Sequence, residues 1–181
     1  MVVISPSFLY FVYTMKPLDD YNVVEKTTIR NLREADFSAL FEMYISFQPK
    51  SYMLGLPPTV EPVCAKWLGT LLQEKLNLIA TCGERIIGHS SLVDVPRSDL
   101  CELIIFVHQD FRGQGVGTAL LKETCRRSFN LCKNRIWLMV SCANTAAIAI
   151  YYKCGFRVTG MYGDVYEMEL DLESCIDYMS R

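Results

Sequence analysis

A short glycine-rich stretch between an apolar segment and a predicted helix holds the residues best suited to chemistry. It runs from Val107 to Thr118 and reads VHQDFRGQGVGT. Its glycines let the backbone come close to a ligand, and a helix that begins here presents unpaired N–H groups to an anion. The stretch therefore predicts a phosphate-binding cradle.

The spacing of these glycines excludes two common phosphate-binding motifs. A P-loop needs Lys followed by Ser or Thr after its second glycine, whereas Gly115 is followed by Val116. A dinucleotide-binding fingerprint counted from Gly113 needs a final glycine where Thr118 stands. The pattern that fits is R-x-x-G-x-G, formed by Arg112, Gly115 and Gly117.

A second pattern follows downstream, after one predicted helix and one predicted strand. Residues Asn144 to Phe156 read NTAAIAIYYKCGF and are similar to the signature N-x-x-A-I-x-L-Y-x-K-x-G-F. The chain departs from that form at Ile150, Tyr152 and Cys154. With both patterns in this order, the chain resembles the GNAT superfamily of acyl-CoA-dependent N-acetyltransferases over about residues 27–172.

The resemblance implies an α/β (α+β) fold of the GNAT type, with a mixed, mostly antiparallel sheet of about seven strands flanked by about four helices. Its fourth and fifth strands are expected to splay apart, with acyl-CoA in the cleft between them. The length of 181 residues fits one domain. We assign that domain to residues 27–181 and an apolar N-terminal arm or leader to residues 1–26.

Hydrophobic periodicity and turn residues place the elements that must position the motifs. A first strand is expected over 28–33, followed by a helix that Asp36 caps and Pro49 ends. The helix after the cradle is expected to run from Gly115 to about Cys132, with Leu121, Cys125, Phe129 and Cys132 on its buried side. The other predicted helices cover about 60–74 and 145–153, and the other strands cover 76–81, 85–93, 100–108, 135–141, 157–159 and 165–172.

The resemblance also implies which residues contact the coenzyme. The amide of Val107 would stabilise the oxyanion, and the edge of its strand would bind the pantetheine arm. Arg112 would help to hold the pyrophosphate, or would form a surface salt bridge instead. Asn144 would cap a helix, contact the coenzyme, or do both. The full set is Phe106, Val107, Arg112, Gly113, Gln114, Gly115, Val116, Gly117, Thr118, Asn144, Ala147 and Tyr151.

Glu102 is the best candidate for the general base, because a protonated amine with a pKa of ~10.4 must lose a proton before it can attack a thioester. Its position in the predicted fourth strand resembles that of the glutamate in phosphinothricin-type acetyltransferases. The structural alternative is a carboxylate at a sheet edge, or one paired with a basic neighbour such as Arg85 or Arg97. His89 and His108 are weaker candidates, since a lone histidine beside a strand is more often structural.

Tyr151 matches the family tyrosine that protonates the thiolate of coenzyme A. A phenol with a pKa of ~10 is a reasonable acid toward a thiolate whose conjugate acid has a pKa of ~8.5. The alternative is a core aromatic at helical spacing from Ala147.

Composition narrows the class of protein. A net charge of −2 does not predict binding to a nucleic acid. The eight cysteines contain no C-x-x-C pair and only two histidines accompany them, so we expect no metal site and a reduced, cytoplasmic setting. The first fifteen residues are apolar, but they lack a signal-peptide pattern and are shorter than the ~20 residues of a membrane span. We expect a weakly ordered arm, or a leader upstream of a start at Met15.

The sequence thus predicts transfer of an acetyl group from acetyl-CoA to a primary amine, directly and without a metal. The acceptor, a small molecule or a peptide, is not readable, and a homodimer is left open. The alternatives are an acyl-CoA-binding module without activity and an acyltransferase with another acyl donor. The loop Gln48–Pro58, with Tyr52, is expected either to form a wall of the acceptor pocket or to plug the gap between two helices.

Overall fold

A computed structural model describes residues 26–49, 57–96, 98–131 and 134–173, and these residues contain seven strands and four α-helices. The N-terminal residues 1–25, Tyr52, Arg97 and Cys132 lie outside the described residues. The strands are β1 (Thr27–Asn31), β2 (Leu76–Cys82), β3 (Arg85–Asp94), β4 (Leu100–Val107), β5 (Arg135–Ser141), β6 (Arg157–Tyr162) and β7 (Val165–Asp171). The helices are α1 (Phe37–Ser46), α2 (Glu61–Leu71), α3 (Val116–Ser128) and α4 (Thr145–Lys153).

The strands form one mixed sheet in the order β1-β2-β3-β4-β5-β7-β6. Every neighbouring pair is antiparallel except β4 and β5. The parallel pairing of β4 with β5 runs only from Leu100↔Arg135 to Glu102↔Trp137. Beyond that pair the two strands separate, so the expected opening between the fourth and fifth strands is present.

Helices cover the two faces of the sheet and enclose two separate cores. The first core joins α3 and α4 to one face through residues such as Leu121 and Phe156. The second core joins α1 and α2 to the other face through Leu40 and Leu68. Because side chains alternate along a strand, Leu103 of β4 enters the first core while Ile104 and Phe106 face the second. Glu102 therefore lies on the α1/α2 face of the sheet.

The start of α1 differs from the expected capping. β1 ends at Asn31, and Asp36 is the residue before α1, but its carboxylate does not bind the amides of that helix. It accepts hydrogen bonds from the Arg33 amide at 2.8 Å and from the Arg30 guanidinium at 2.6 and 2.7 Å. Pairing with Arg30 lowers the pKa of Asp36, and the contacts fix the corner between β1 and α1.

Two helices end earlier than expected. α1 ends at Ser46, three residues before Pro49. α3 ends at Ser128 and continues as a 3₁₀ turn over Phe129–Leu131. Phe129 is 39% exposed, so its assignment to the buried side was wrong. The tighter 3₁₀ turn has 3.0 residues per turn, which moves this side chain off the stripe predicted for an α-helix.

A buried polar chain ties the α1/α2 layer to the sheet. The Asn77 side chain donates hydrogen bonds to the carbonyls of Leu71 at 2.9 Å and Glu74 at 3.0 Å. Its Oδ1 therefore faces the Nε2 of His89 at 3.1 Å. This arrangement places the imidazole proton on Nε2 and leaves Nδ1 to accept the hydroxyl of Tyr44 at 2.6 Å. His89 has both ring nitrogens engaged, as a structural residue does.

Candidate active site

The glycine-rich stretch forms a turn that leaves the start of α3 uncapped. Gly113 and Gly115 have φ angles of +74° and +80°, which L side chains rarely adopt. The first hydrogen bond within α3 runs from the Ala119 amide to the Gly115 carbonyl, and no side chain caps the helix. The preceding amides, those of Val116, Gly117 and Thr118, therefore lack an intrahelical acceptor and can bind an anion.

Gly117 lies where the cradle meets the two other elements of the site. A Cβ atom on Gly117 would lie 3.5 Å from a methyl of Val107 and 3.7 Å from a methyl of Ile150. The first turn of α3 thus packs against the end of β4 and the side of α4. This packing puts the uncapped amides at the mouth of the opening between β4 and β5.

Arg112 stabilises the cradle through backbone contacts. Its Nε donates to the Val107 carbonyl at 3.0 Å, and its Nη2 donates to the Gln48 carbonyl. The guanidinium also lies over the ring of Phe47, with 4.9 Å between its central carbon and the ring centroid. No carboxylate among the described residues pairs with Arg112, so the surface salt bridge is wrong for that part of the chain. A contact with pyrophosphate stays a prediction.

The direction of the β4 backbone groups follows from the ladder with β3. The His108 amide donates to the Ile87 carbonyl at 2.9 Å, and the Val95 amide donates to the Leu100 carbonyl at 3.3 Å. In an antiparallel pair, alternate residues point their amides and carbonyls toward the partner strand. The even-numbered residues of β4 therefore bond to β3, while the amides of Ile105 and Val107 point into the opening toward β5.

Phe106 does not take the place expected of a coenzyme-binding residue. The same alternation turns its backbone groups toward His89 of β3. Its ring is 8% exposed and packs in the second core, edge-on to Tyr44 and Phe47. The residue that shares the opening with Val107 is Ile105, which the sequence reasoning missed. Only the phase of the ladder could have identified it.

Glu102 lies where β4 and β5 part, opposite Trp137. β4 is an interior strand, so a carboxylate at a sheet edge is not the explanation. Arg85 is bound to Asp110 at 3.2 Å, and no described residue forms a hydrogen bond or ion pair with the Glu102 side chain. Partial burial raises the pKa of Glu102 above the ordinary value of 4.5. A half-buried carboxylate of this kind suits a general base.

Helix α4, which carries the second motif, packs against the start of α3 through Ile150. Asn144 caps α4, because its side chain accepts a hydrogen bond from the Ala147 amide at 3.3 Å. The cap occupies that amide, so a coenzyme contact by Ala147 would have to use its methyl group. Tyr151 is 8% exposed and packs against Phe156, with 5.5 Å between ring centroids. Its hydroxyl has no partner among the described residues, and burial raises its pKa to about 12.

His108 is a structural residue like His89. It is 2% exposed, and its Nδ1 accepts the Asp110 amide at 3.4 Å while Nε2 lies 3.3 Å from the Ser46 hydroxyl. Burial lowers the pKa of both imidazoles, that of His89 to about 3. Because burial disfavours the imidazolium form, both rings are weaker bases than a free imidazole.

A metal-binding cluster, a disulfide bond and a membrane-spanning helix are all absent from the described residues. In them, no group of three or more His, Cys, Asp or Glu side chains could hold a metal ion. No disulfide bond links their six cysteines. None of the helices in this part of the chain is long and apolar enough to cross a membrane.

Comparison with known proteins agrees with this architecture. The family described as "Acetyltransferase (GNAT) family" matches residues 37–156. An uncharacterized N-acetyltransferase of Methanocaldococcus jannaschii is 24% identical over 77% of this chain and 65% of its own length. The L-amino acid N-acetyltransferase AaaT of Escherichia coli is 28% identical over 76% of this chain and 86% of its own length. A solved structure of yncA from Salmonella typhimurium, a putative acetyltransferase with its cofactor acetyl-CoA, shares the fold with a TM-score of 0.67. The two chains are 23% identical, and the match covers 81% of this chain and 94% of the yncA chain. The chain therefore belongs to the GNAT family of acetyltransferases.

Proposed function

We propose that the protein transfers an acetyl group from acetyl-CoA directly to a primary amine. The observation that carries the proposal is the opening between β4 and β5. Two backbone amides point into it, those of Ile105 and Val107, and the uncapped start of α3 lies at its mouth. A pyrophosphate on α3 would place the pantetheine arm along these amides, which suits an extended thioester coenzyme.

The comparisons add support from outside the geometry. AaaT is named for acetylation of amino acids, and the yncA structure contains acetyl-CoA as its cofactor. The similarity of Glu102 to the glutamate of phosphinothricin-type enzymes supports its role as a base. The absence of disulfides among the described cysteines is compatible with the cytoplasm as the proposed location.

The distances along β4 assign different tasks to the two amides. Ile105 lies three residues from Glu102, about 10 Å along the strand, whereas Val107 lies five residues away, roughly 16 Å. The Ile105 amide is therefore better placed to stabilise the thioester oxygen while an amine near Glu102 attacks. Val107, nearer the cradle, would bind the pantetheine arm.

In the proposed reaction a C–N bond forms and the C–S bond of the thioester breaks. Glu102 takes the amine proton through bridging water, because the Ile105 amide that would bind the thioester oxygen lies about 10 Å away along β4. Tyr151 donates its hydroxyl proton or a hydrogen bond to the departing sulfur. Backbone amides need no reorganisation to stabilise the developing oxyanion.

Release of free thiol from acetyl-CoA in the presence of an amine tests the proposal. The acceptor panel should contain amino acids, amino acid amides, peptide N-termini, lysine peptides, polyamines and aminoglycosides. We expect thiol release that depends on one class of amine and yields the N-acetylated product. Acetyl-CoA binding without turnover on any of them would favour the inactive binding module. Faster turnover with a longer acyl chain would favour a different donor.

Gly115→Val should weaken acetyl-CoA binding at least tenfold, which corresponds to about 1.4 kcal/mol. Gly115 has a φ angle of +80°, and valine disfavours that conformation. The side chain would also stand where the backbone must approach the pyrophosphate. Isothermal titration calorimetry with acetyl-CoA measures the change.

Gly83→Val is a matched control for this variant. Gly83 has a φ angle of +59° in the turn between β2 and β3, and a Cβ atom added there would have no neighbour within 4 Å. It carries a similar conformational cost away from the cradle, so acetyl-CoA affinity should not change. Equal affinity for wild type and Gly115→Val, in a protein that melts normally, would contradict the assignment of the cradle.

A further inference from the structure

We propose that the acceptor amine carries a hydrogen-bond-accepting oxygen next to its nitrogen, and that the indole N–H of Trp137 recognises this oxygen. The inference rests on the proposed function and names its substrate class as amino acids, amino acid amides or peptide N-termini. Trp137 would then be a residue that determines acceptor specificity, a role that neither sequence motif assigns to it.

The two strands next to Glu102 each carry a buried polar atom without a hydrogen-bond partner. Three buried side-chain polar atoms of the described residues have no hydrogen-bond partner, namely Thr59 Oγ1, Ser91 Oγ and Trp137 Nε1. Folded proteins contain few such atoms, because each one costs the desolvation of a polar group. Two of the three atoms belong to the strands on either side of β4, so most of the missing hydrogen bonds lie on the strands next to the candidate base.

The strand register places these two donors on the same face as Glu102. Trp137 is the direct neighbour of Glu102 on β5. Its neighbours Ile136 and Leu138 enter the first core, so Trp137 itself faces the α1/α2 side. Ser91 pairs with Ile104, two residues along β4 from Glu102, and is fully buried. On this face, one unsatisfied donor lies directly opposite Glu102 on β5, and the other lies diagonally from it on β3.

The protein itself supplies no acceptor for the Trp137 N–H among the described residues. Glu169, the neighbour of Trp137 on β7, binds Arg135 at 2.9 Å instead. The Glu102 carboxylate forms no hydrogen bond with Trp137 or Ser91. An indole N–H can only donate, so its complement must be an acceptor oxygen. An amine that carries a carbonyl or carboxylate would satisfy Glu102 through its nitrogen and Trp137 through its oxygen.

The other side chains on this face disfavour a simple polyamine. A second ammonium group would need a second uncommitted carboxylate near Glu102. Glu169, the carboxylate beside Trp137, is committed to Arg135, and Glu167 lies two residues further along the same pairing, beside Met139. Met139, beside Trp137 on β5, is 39% exposed and offers an apolar surface for the rest of the acceptor. The face therefore matches one cationic nitrogen, one oxygen and an apolar side chain.

Trp137→Phe tests the inference because it keeps an aromatic ring and removes the N–H donor. The substitution also removes the second ring of the indole, and a loss of packing would affect both probe amines equally. Two probe acceptors differ only at the relevant group: alanine amide carries a carboxamide where isopropylamine carries a methyl group. The quantity to compare is kcat/KM of the variant divided by that of wild type, measured for each amine at the same pH, so that differences in amine pKa cancel. We expect about a tenfold loss for alanine amide and less than a twofold change for isopropylamine.

Ser91→Ala provides a second, independent variant, with a loss in the same direction for alanine amide. The KM for acetyl-CoA should stay within twofold in both variants. Equal losses for the two amines would mean that the indole only packs, and no loss for either would mean that water satisfies its N–H. Each result overturns the inference. Efficient transfer by wild type to spermidine but not to alanine amide also overturns it, while leaving acetyl transfer in place. Failure with every amine of the panel would overturn the proposed function itself.

Discussion

Glu102→Gln should lower kcat by roughly 10²-fold or more, the usual contribution of a general base. Glutamine keeps the size of the side chain at the point where β4 and β5 part, but it cannot accept the amine proton. Acetyl-CoA affinity should change little, because the cradle and the amides of the opening lie further along the chain. Steady-state turnover with a saturating amine measures kcat, and calorimetry measures the affinity for acetyl-CoA.

The pH profile gives this prediction a separate check. Burial raises the pKa of Glu102. As the solution is made more acidic, wild-type kcat/KM should therefore begin to fall at a higher pH than it would if the glutamate were exposed. The carboxylate is active only when deprotonated, so this fall should be absent from Glu102→Gln, whereas any fall caused by protonation of the amine remains. Glu84→Gln, in the turn between β2 and β3, is the matched control and should behave as wild type. Full activity in Glu102→Gln would remove the glutamate from the mechanism.

Tyr151→Phe is expected to reduce turnover by roughly 10²-fold, the effect of losing a hydrogen bond to charge that develops on the departing sulfur. The substitution preserves the ring that packs against Phe156 and removes only the hydroxyl. Tyr152→Phe is the control, because the neighbouring Tyr152 is 53% exposed and points away from the core. Thiol release should be the measured step, and acetyl-CoA affinity should be nearly unchanged.

The pKa of Tyr151 determines how this hydroxyl can act. At about 12 it exceeds the ~8.5 of a free thiol, so complete proton transfer to an exposed thiolate would be unfavourable by roughly 5 kcal/mol. A thiolate that develops in the same buried surroundings would have its own pKa raised by desolvation, which narrows the difference. We therefore expect a strong hydrogen bond to the developing thiolate. Turnover should show no titration of Tyr151 between pH 7 and about 10. If Tyr151→Phe loses coenzyme affinity as much as rate, the tyrosine has a packing role.

Several features of the fold could be predicted from local patterns. The turn at Cys82–Arg85, the helix after Gly115 and the strand that ends at Val107 depend on residues close together in the chain. Alternation of apolar and charged residues predicted β7, whose Met168 and Leu170 are buried while Asp171 is exposed. The errors fell at the ends of elements. Phe129 was misplaced because a 3₁₀ turn replaced the last turn of the α-helix.

The sequence by itself determined the family, the order of the elements and the position of the glycine turn, because two local motifs carry that information. Only the tertiary structure decided what each residue faces. The phase of the β3–β4 ladder turned Ile105, and not Phe106, into the opening. Two of the groups that Arg112 contacts, the Gln48 carbonyl and the Phe47 ring, come from the distant segment just after α1. The placement of Trp137 beside Glu102 joins residues 35 positions apart through a short parallel pairing. Such contacts depend on register between strands, which no single segment of the chain encodes.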